Sequence, residues 1–112
     1  MKIPHDYVVS IQYGEIIINC VTKDKKKLLK QIGAKNKIFN RLTWRLSYNK
    51  NDERELANKL EKLRDFGFCF AGAVGGWPPS GVFDYLRDKG YANGKIIEIM
   101  WRAPNKEVKY ER

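Results

Sequence analysis

Long apolar runs are missing from this chain. No stretch approaches the roughly 20 residues that a bilayer-spanning helix requires, so no membrane segment is expected. The opening residues, Met1 to Val9, lack the extended apolar core of a secretory signal, and the expected location is cytoplasmic. Histidine is almost absent: His5 alone stands near the N-terminus, beside Pro4 and Asp6, with no marked partner to orient it as a general base. The two cysteines, Cys20 and Cys69, fit no C-x₂-C metal spacing and each lies in an apolar run. Both read as buried, reduced thiols, with no metal and no cofactor expected.

The glycine-rich run Ala71 to Gly81, "AGAVGGWPPSG", has the wrong chemistry for a nucleotide loop. No lysine follows to reach a phosphate, and Gly72, Gly75 and Gly76 do not make the G-x-G-x-x-G of a dinucleotide site. What remains is a turn presenting Trp77 before two prolines. It is read either as an exposed contact for a base or a partner protein, or as a lid folded onto the core.

Acids are missing where bases are dense. Between Thr22 and Lys50 there are ten Lys and Arg residues against one acid, Asp24, an excess equal to the whole net charge of +9. The rest of the chain holds 12 basic and 12 acidic residues and is neutral. Such polarisation is the footprint of a protein that docks on a polyanion; the bland alternative is a basic protein whose lysines merely keep it dispersed.

Periodicity divides the 112 residues into elements of one domain, 1–112. Tyr7 to Val21 reads as a hairpin turning at Tyr13-Gly14. A helix follows, capped by Thr22, with Leu28, Leu29 and Ile32 as its apolar stripe and Gly33 as its stop. In "NRLTWRLSY" Leu42, Trp44, Leu46 and Tyr48 share one strand face, and Arg41, Thr43, Arg45 and Ser47 share the other. Trp44 is therefore expected in the core, and Lys35 and Lys37 in the turn leading to this strand. A second helix starts at Asn49 or Asn51, carries Leu56, Leu60 and Leu63, and closes at Gly67. A buried strand, a third helix capped by Ser80 and stopped by Gly90, a last strand and a charged tail complete the order. The expectation is an α+β domain, β-β-α-β-α-β-α-β, with a mostly antiparallel sheet.

The Ile-Gly-Ala-Lys turn at 32–35 and the strand holding Trp44 carry a local likeness. With the preceding strand and helix, residues 15–66 resemble the HARP-type DNA-binding modules of annealing helicases, matched one by one at Gly33, Ala34, Lys35 and Trp44. The resemblance implies recognition of forked or structured DNA. No helicase motor is present, so the implied role is binding without ATP-driven work.

The reading that follows is a small non-enzymatic nucleic-acid-binding protein, DNA favoured over RNA. Its phosphate contacts are expected at Lys23, Lys25, Lys26, Lys27, Lys30, Lys35, Lys37, Arg41 and Arg45, with Trp77 as a base or partner contact. One alternative is a phage- or plasmid-type inhibitor docking on an acidic groove of a larger nucleic-acid-processing machine. Another is a small metal-independent ribonuclease built from Lys, Arg, Tyr and Glu, though no such set is marked out by position.

Overall fold

Strict alternation in the central strands fixes which side of the sheet is covered. In β2 (Glu15–Asn19) Ile16 and Ile18 are fully buried, whereas Glu15, Ile17 and Asn19 are only half-buried. The same alternation runs through β4 (Asn40–Ser47), where Trp44 and Leu46 are buried and Arg45 and Ser47 reach solvent. Antiparallel pairing sets Ile16 against Leu46 and Ile18 against Trp44, so the apolar sets stack on one face.

The computed structural model describes residues 6–20, 22–37, 40–72, 78–102 and 106–111, with residues 37, 40–41, 101–102 and 106–110 described by backbone only. Its remaining strands are β1 (Tyr7–Gln12), β3 (Lys35–Lys37), β5 (Cys69–Ala71), β6 (Ile97–Arg102) and β7 (Lys106–Glu111). The helices among the described residues are α1 (Lys23–Gln31), α2 (Glu53–Asp65) and α3 (Pro79–Asp88). Together the strands make one seven-stranded sheet in the order β3-β4-β2-β1-β5-β6-β7. β1 pairs with β5 and β5 with β6 in parallel; the other four pairings are antiparallel. The fold is α+β with a mixed, mostly antiparallel sheet. No helix among the described residues is long and apolar enough to cross a membrane.

All three helices pack on the Trp44 side. Leu29 of α1, Leu56, Ala57, Leu60 and Leu63 of α2, and Phe83 and Leu86 of α3 join Val8, Ile16, Ile18, Trp44, Leu46 and Phe70 in one cluster. The three-and-four spacing in α2 puts its buried residues on one stripe. Asp52 caps that helix, accepting from Arg54 N at 3.1 Å and Glu55 N at 3.0 Å. Asn49 and Asn51, expected to start it, belong instead to the turn before it.

Two segments read as irregular are strands. Lys35–Lys37 pairs with β4 as an edge strand, and the C-terminal segment Lys106–Glu111 pairs with β6. Lys35–Lys37 holds no apolar residue, and Lys106–Glu111 alternates only Val108 and Tyr110 among four charges, which is why sequence pattern passes them over. Ser80 is not a cap either. α3 starts at Pro78-Pro79, and the Ser80 hydroxyl donates within the core to Glu98 Oε2 at 2.5 Å. The absent side chain of Gly72 makes room for that pair, since a Cβ there would lie 2.7 Å from the Glu98 carboxylate.

Asp6 ties three elements together at one end of the sheet. Its carboxylate accepts from Thr22 N at 3.2 Å and from the Thr22 hydroxyl at 2.6 Å, and lies 3.2 Å from Lys25 Nζ. Its carbonyl accepts from Cys69 N at the start of β5. Thr22 therefore stands at the N-cap of α1, as expected, but its hydroxyl serves Asp6 rather than the helix. Burial alone would raise the Asp6 carboxyl. The bonds from Thr22, the Cys20 thiol and Lys25 outweigh it and hold the group below its ordinary value. The neighbouring Cys20 thiol is pushed up to about 12, by burial first and by Asp6 second.

A carboxyl lowered on folding stabilises the protein above its unfolded pKa, near 3.9, and loses that contribution as pH falls through the lower folded value. Urea midpoints measured across the acid range should therefore decline below about pH 4. Asp6→Asn should lower the midpoint at neutral pH and flatten that decline; an unchanged acid limb in the variant would remove Asp6 as its source.

Candidate nucleic-acid interface

The side of the sheet away from the helices is where the strand arginine lies. Cross-strand pairing builds rows across it. Lys35 on β3 opposes Arg45 on β4, Arg45 opposes Ile17 on β2, and Ile17 opposes Ser10 on β1. A second row runs from Thr43 through Asn19 and Tyr7 to Cys69, and a third from Ser47 through Glu15 to Gln12. Strands lie about 4.8 Å apart, so the first row spans about 14 Å. Among the described residues, no helix covers these rows. The surface is mostly amide, hydroxyl and cation, with Ile17 near its centre and Glu15 as an acid within it.

Arg45 is held but not saturated. Its Nη1 lies 3.5 Å from Glu15 Oε1, in a pair whose side chains are 42% and 35% exposed. A pair this open contributes less than about 1 kcal/mol and yields to salt. The Arg45 Nε is buried and donates to nothing. Tyr7 lies opposite Asn19; burial pushes its phenol up, and a hydrogen bond with Asn19 opposes that rise. Cys69, expected to be buried, is only half-buried on this face, while Cys20 is buried as expected. Further along the same face, Ala71 and Ile99 are buried, so the accessible region is the β3-β4-β2-β1 side.

The α1 lysines form a separate surface. Lys23, Lys27 and Lys30 recur at helical spacing and are exposed, with Lys26 half-buried beside them. The helix they ride packs on the covered side, so this stripe and the Lys35–Arg45 pair lie on opposite sides of the sheet, joined around edge strand β3 by the turn at Gly33-Ala34. Lys25 belongs to neither. A hundred degrees per residue turns it toward the core side of α1, where its ammonium pairs with Asp6, donates to Gly67 O at 3.2 Å and sits 5.6 Å from the Phe68 ring centroid. Among the described side chains, the basic residues of 22–45 thus divide between these two surfaces, with Lys25 held by Asp6.

Lys37 and Arg41 lie in β3 and β4, but their side chains fall outside the described residues, as do Trp77 and His5 entirely. Trp44 is core, at 4% exposure, as its strand parity predicts. Of the four residues carrying the HARP resemblance, Gly33 is exposed and turns the chain at φ +90°, Ala34 and Trp44 are buried, and Lys35 alone offers an exposed side chain. No three His, Cys, Asp or Glu side chains among the described residues come together as metal ligands. The Lys35–Arg45 pairing escaped sequence reading because β3 did; the alternation of Lys35 and Lys37 about Asn36 was the available signal.

No protein-family model matches the chain, and neither a curated protein nor a solved structure does. If the Arg45–Glu15 pair is a solvated surface contact, Glu15→Gln should leave the unfolding free energy within about 0.5 kcal/mol of the parent. Urea unfolding checks this, and a loss several times larger would make the pair part of the sheet's own stability.

Proposed function

We propose that this protein binds nucleic acid without enzymatic action, laying a strand across the uncovered side of its sheet. The carrying observation is the Lys35–Arg45 cross-strand pair beside a surface of amide and hydroxyl side chains. The two cations neutralise phosphates. Asn19, Thr43 and Ser10 offer hydrogen bonds, and the lysine stripe of α1 adds contacts beyond the β3 edge. Phosphate binding displaces Glu15 from Arg45, an exchange that costs little because the pair is half-exposed. DNA is the favoured substrate, on the strength of the likeness between residues 15–66 and HARP-type modules. Such a role belongs in the cytoplasm.

A second reading is supported by Ile17. A half-buried apolar side chain at the centre of a polar, basic surface also suits docking on an acidic groove of a larger nucleic-acid-processing protein. A partner captured from lysate and retained after nuclease digestion favours that reading; loss on digestion favours direct binding.

The direct test is an electrophoretic shift series with single- and double-stranded DNA and RNA. With about six phosphate contacts, affinity should fall about a thousandfold between 50 and 200 mM salt. At low salt, the Lys35→Glu, Arg45→Glu double variant should weaken binding about tenfold or more. Lys23→Glu with Lys27→Glu should weaken it less. Lys62→Glu with Lys95→Glu, exposed lysines of α2 and of the turn before β6, should leave it within about twofold. Equal losses in all three variants would mean bulk attraction, and a flat salt response would end the proposal.

A further inference from the structure

At the β1–β2 hairpin end, three tyrosines from distant parts of the chain meet around a cavity of about 320 Å³. Tyr13 comes from the hairpin turn, Tyr48 follows β4, and Tyr85 lies on α3. The cavity's apolar wall is Ile11, Leu56, Val82 and Leu86, and its one charged lining residue is Glu53, in the first turn of α2. The volume falls at the lower end of the roughly 300–1,000 Å³ typical of small-ligand sites.

Two of the rings are tethered before any ligand arrives. The Tyr48 hydroxyl donates to Gln12 O at 2.8 Å, and the Tyr85 hydroxyl donates to Glu53 Oε1 at 3.0 Å. That second bond comes first among the causes that raise the Tyr85 phenol above its ordinary value. Tyr13 is 76% exposed, so an aromatic surface is open at the rim. Two ammonium groups flank these rings without lining the cavity: Lys50 Nζ lies 4.7 Å from the Tyr13 centroid and Lys89 Nζ 5.6 Å from the Tyr85 centroid.

The geometry points to a guanine base, carrying a phosphate, as the ligand of this pocket. Aromatic side chains stack on any base, so stacking supplies affinity without choice. Choice comes from the carboxylate. Glu53 takes the Tyr85 hydroxyl on one lone pair of Oε1, which leaves that oxygen's second lone pair and Oε2 to accept side by side. Guanine alone presents two parallel N–H donors, N1–H and N2–H, to a carboxylate; adenine sets an acceptor beside its donor and is repelled. Lys50 and Lys89, 4.7 and 5.6 Å from the centroids of lining rings, supply the cations for a phosphate carried on the base. The pocket is built with α2 and α3, and its occupancy does not depend on Lys35 or Arg45.

The same chemistry is offered by a free guanine nucleotide and by an unpaired guanine within a strand. Titration of the isotope-labelled protein with GMP, and separately with AMP, followed by backbone amide NMR, tests the site. GMP should shift the amides of Tyr13, Tyr48, Glu53 and Tyr85 and bind about tenfold more tightly than AMP. Glu53→Gln should reduce that preference to less than about threefold while Tyr85→Phe, which keeps the ring, retains stacking of both nucleotides. Urea midpoints establish that both variants are folded. Oligonucleotides differing by one unpaired G or A then separate the sources: a G preference in the strand assigns a base within nucleic acid, and its absence alongside GMP binding assigns the free nucleotide. No shifts at these residues up to about 5 mM GMP, where even a millimolar site is mostly filled, would overturn the inference. So would equal AMP binding that Glu53→Gln leaves untouched, or shifts confined to the Lys35–Arg45 surface.

Discussion

One constraint governs the molecule: β2 and β4 can bury only one of their two faces. Ile16, Ile18, Trp44 and Leu46 go inward together, and their neighbours Glu15, Ile17, Arg45 and Ser47 must go outward together. A slip of one residue in either strand would drive Arg45 or Glu15 beneath the helices, at a desolvation cost no local contact repays. The register is thus specified by the core, and the polar face is its by-product. Among the described residues the three helices all lie on one side and leave the β3-β4-β2-β1 part of the other accessible, so any function of that surface is inherited from the way the core packs.

The same economy explains where the charges go. Asp6 is nearly buried and would be costly alone, but it sits at the positive end of α1 and receives Thr22 and Lys25 there. The lysine it recruits is the one that helical geometry turns inward, which leaves Lys23, Lys27 and Lys30 facing solvent. At the far side of the core Glu98 is likewise buried and satisfied by Ser80, in space that Gly72 leaves open. Each buried acid is answered from another element, so the excess positive charge stays at the surface.

Sequence pattern reads what is periodic and misses what is paired. The leucine stripe of α2, the turns at Gly33, Gly67 and Gly90, and the inward Trp44 were all legible, because each follows from spacing or from a positive φ that glycine tolerates. β3 and β7 were not: β3 has no apolar residue, β7 has only Val108 and Tyr110 among four charges, and the identity of each comes from the neighbour that bonds it. Ser80 resembled a cap because serine before a helical run usually is one, and only the arrival of Glu98 from 18 residues on gives it another partner. The role of Lys25 was hidden in the same way, since nothing near it in the chain announces Asp6. Tyr13, Tyr48, Glu53 and Tyr85 lie at no common spacing, and the cavity they enclose exists only once α2 and α3 have docked.

Net charge, then, is a poor map of a site. Ten basic residues in 29 are dense enough to mark a polyanion-docking segment, yet a helix and a strand that share a core must point their solvent faces in opposing directions. A polyanion meeting this protein encounters either the α1 stripe or the Lys35–Arg45 row first, and engages both only by passing around β3. That geometry suits a flexible or branched nucleic acid better than a straight duplex, because bending over an edge strand is cheap for a single strand and costs several kcal/mol for a double one. Under the proposed nucleic-acid binding, a preference for forked or single-stranded forms would follow from where the core forced the cations, before any base is read.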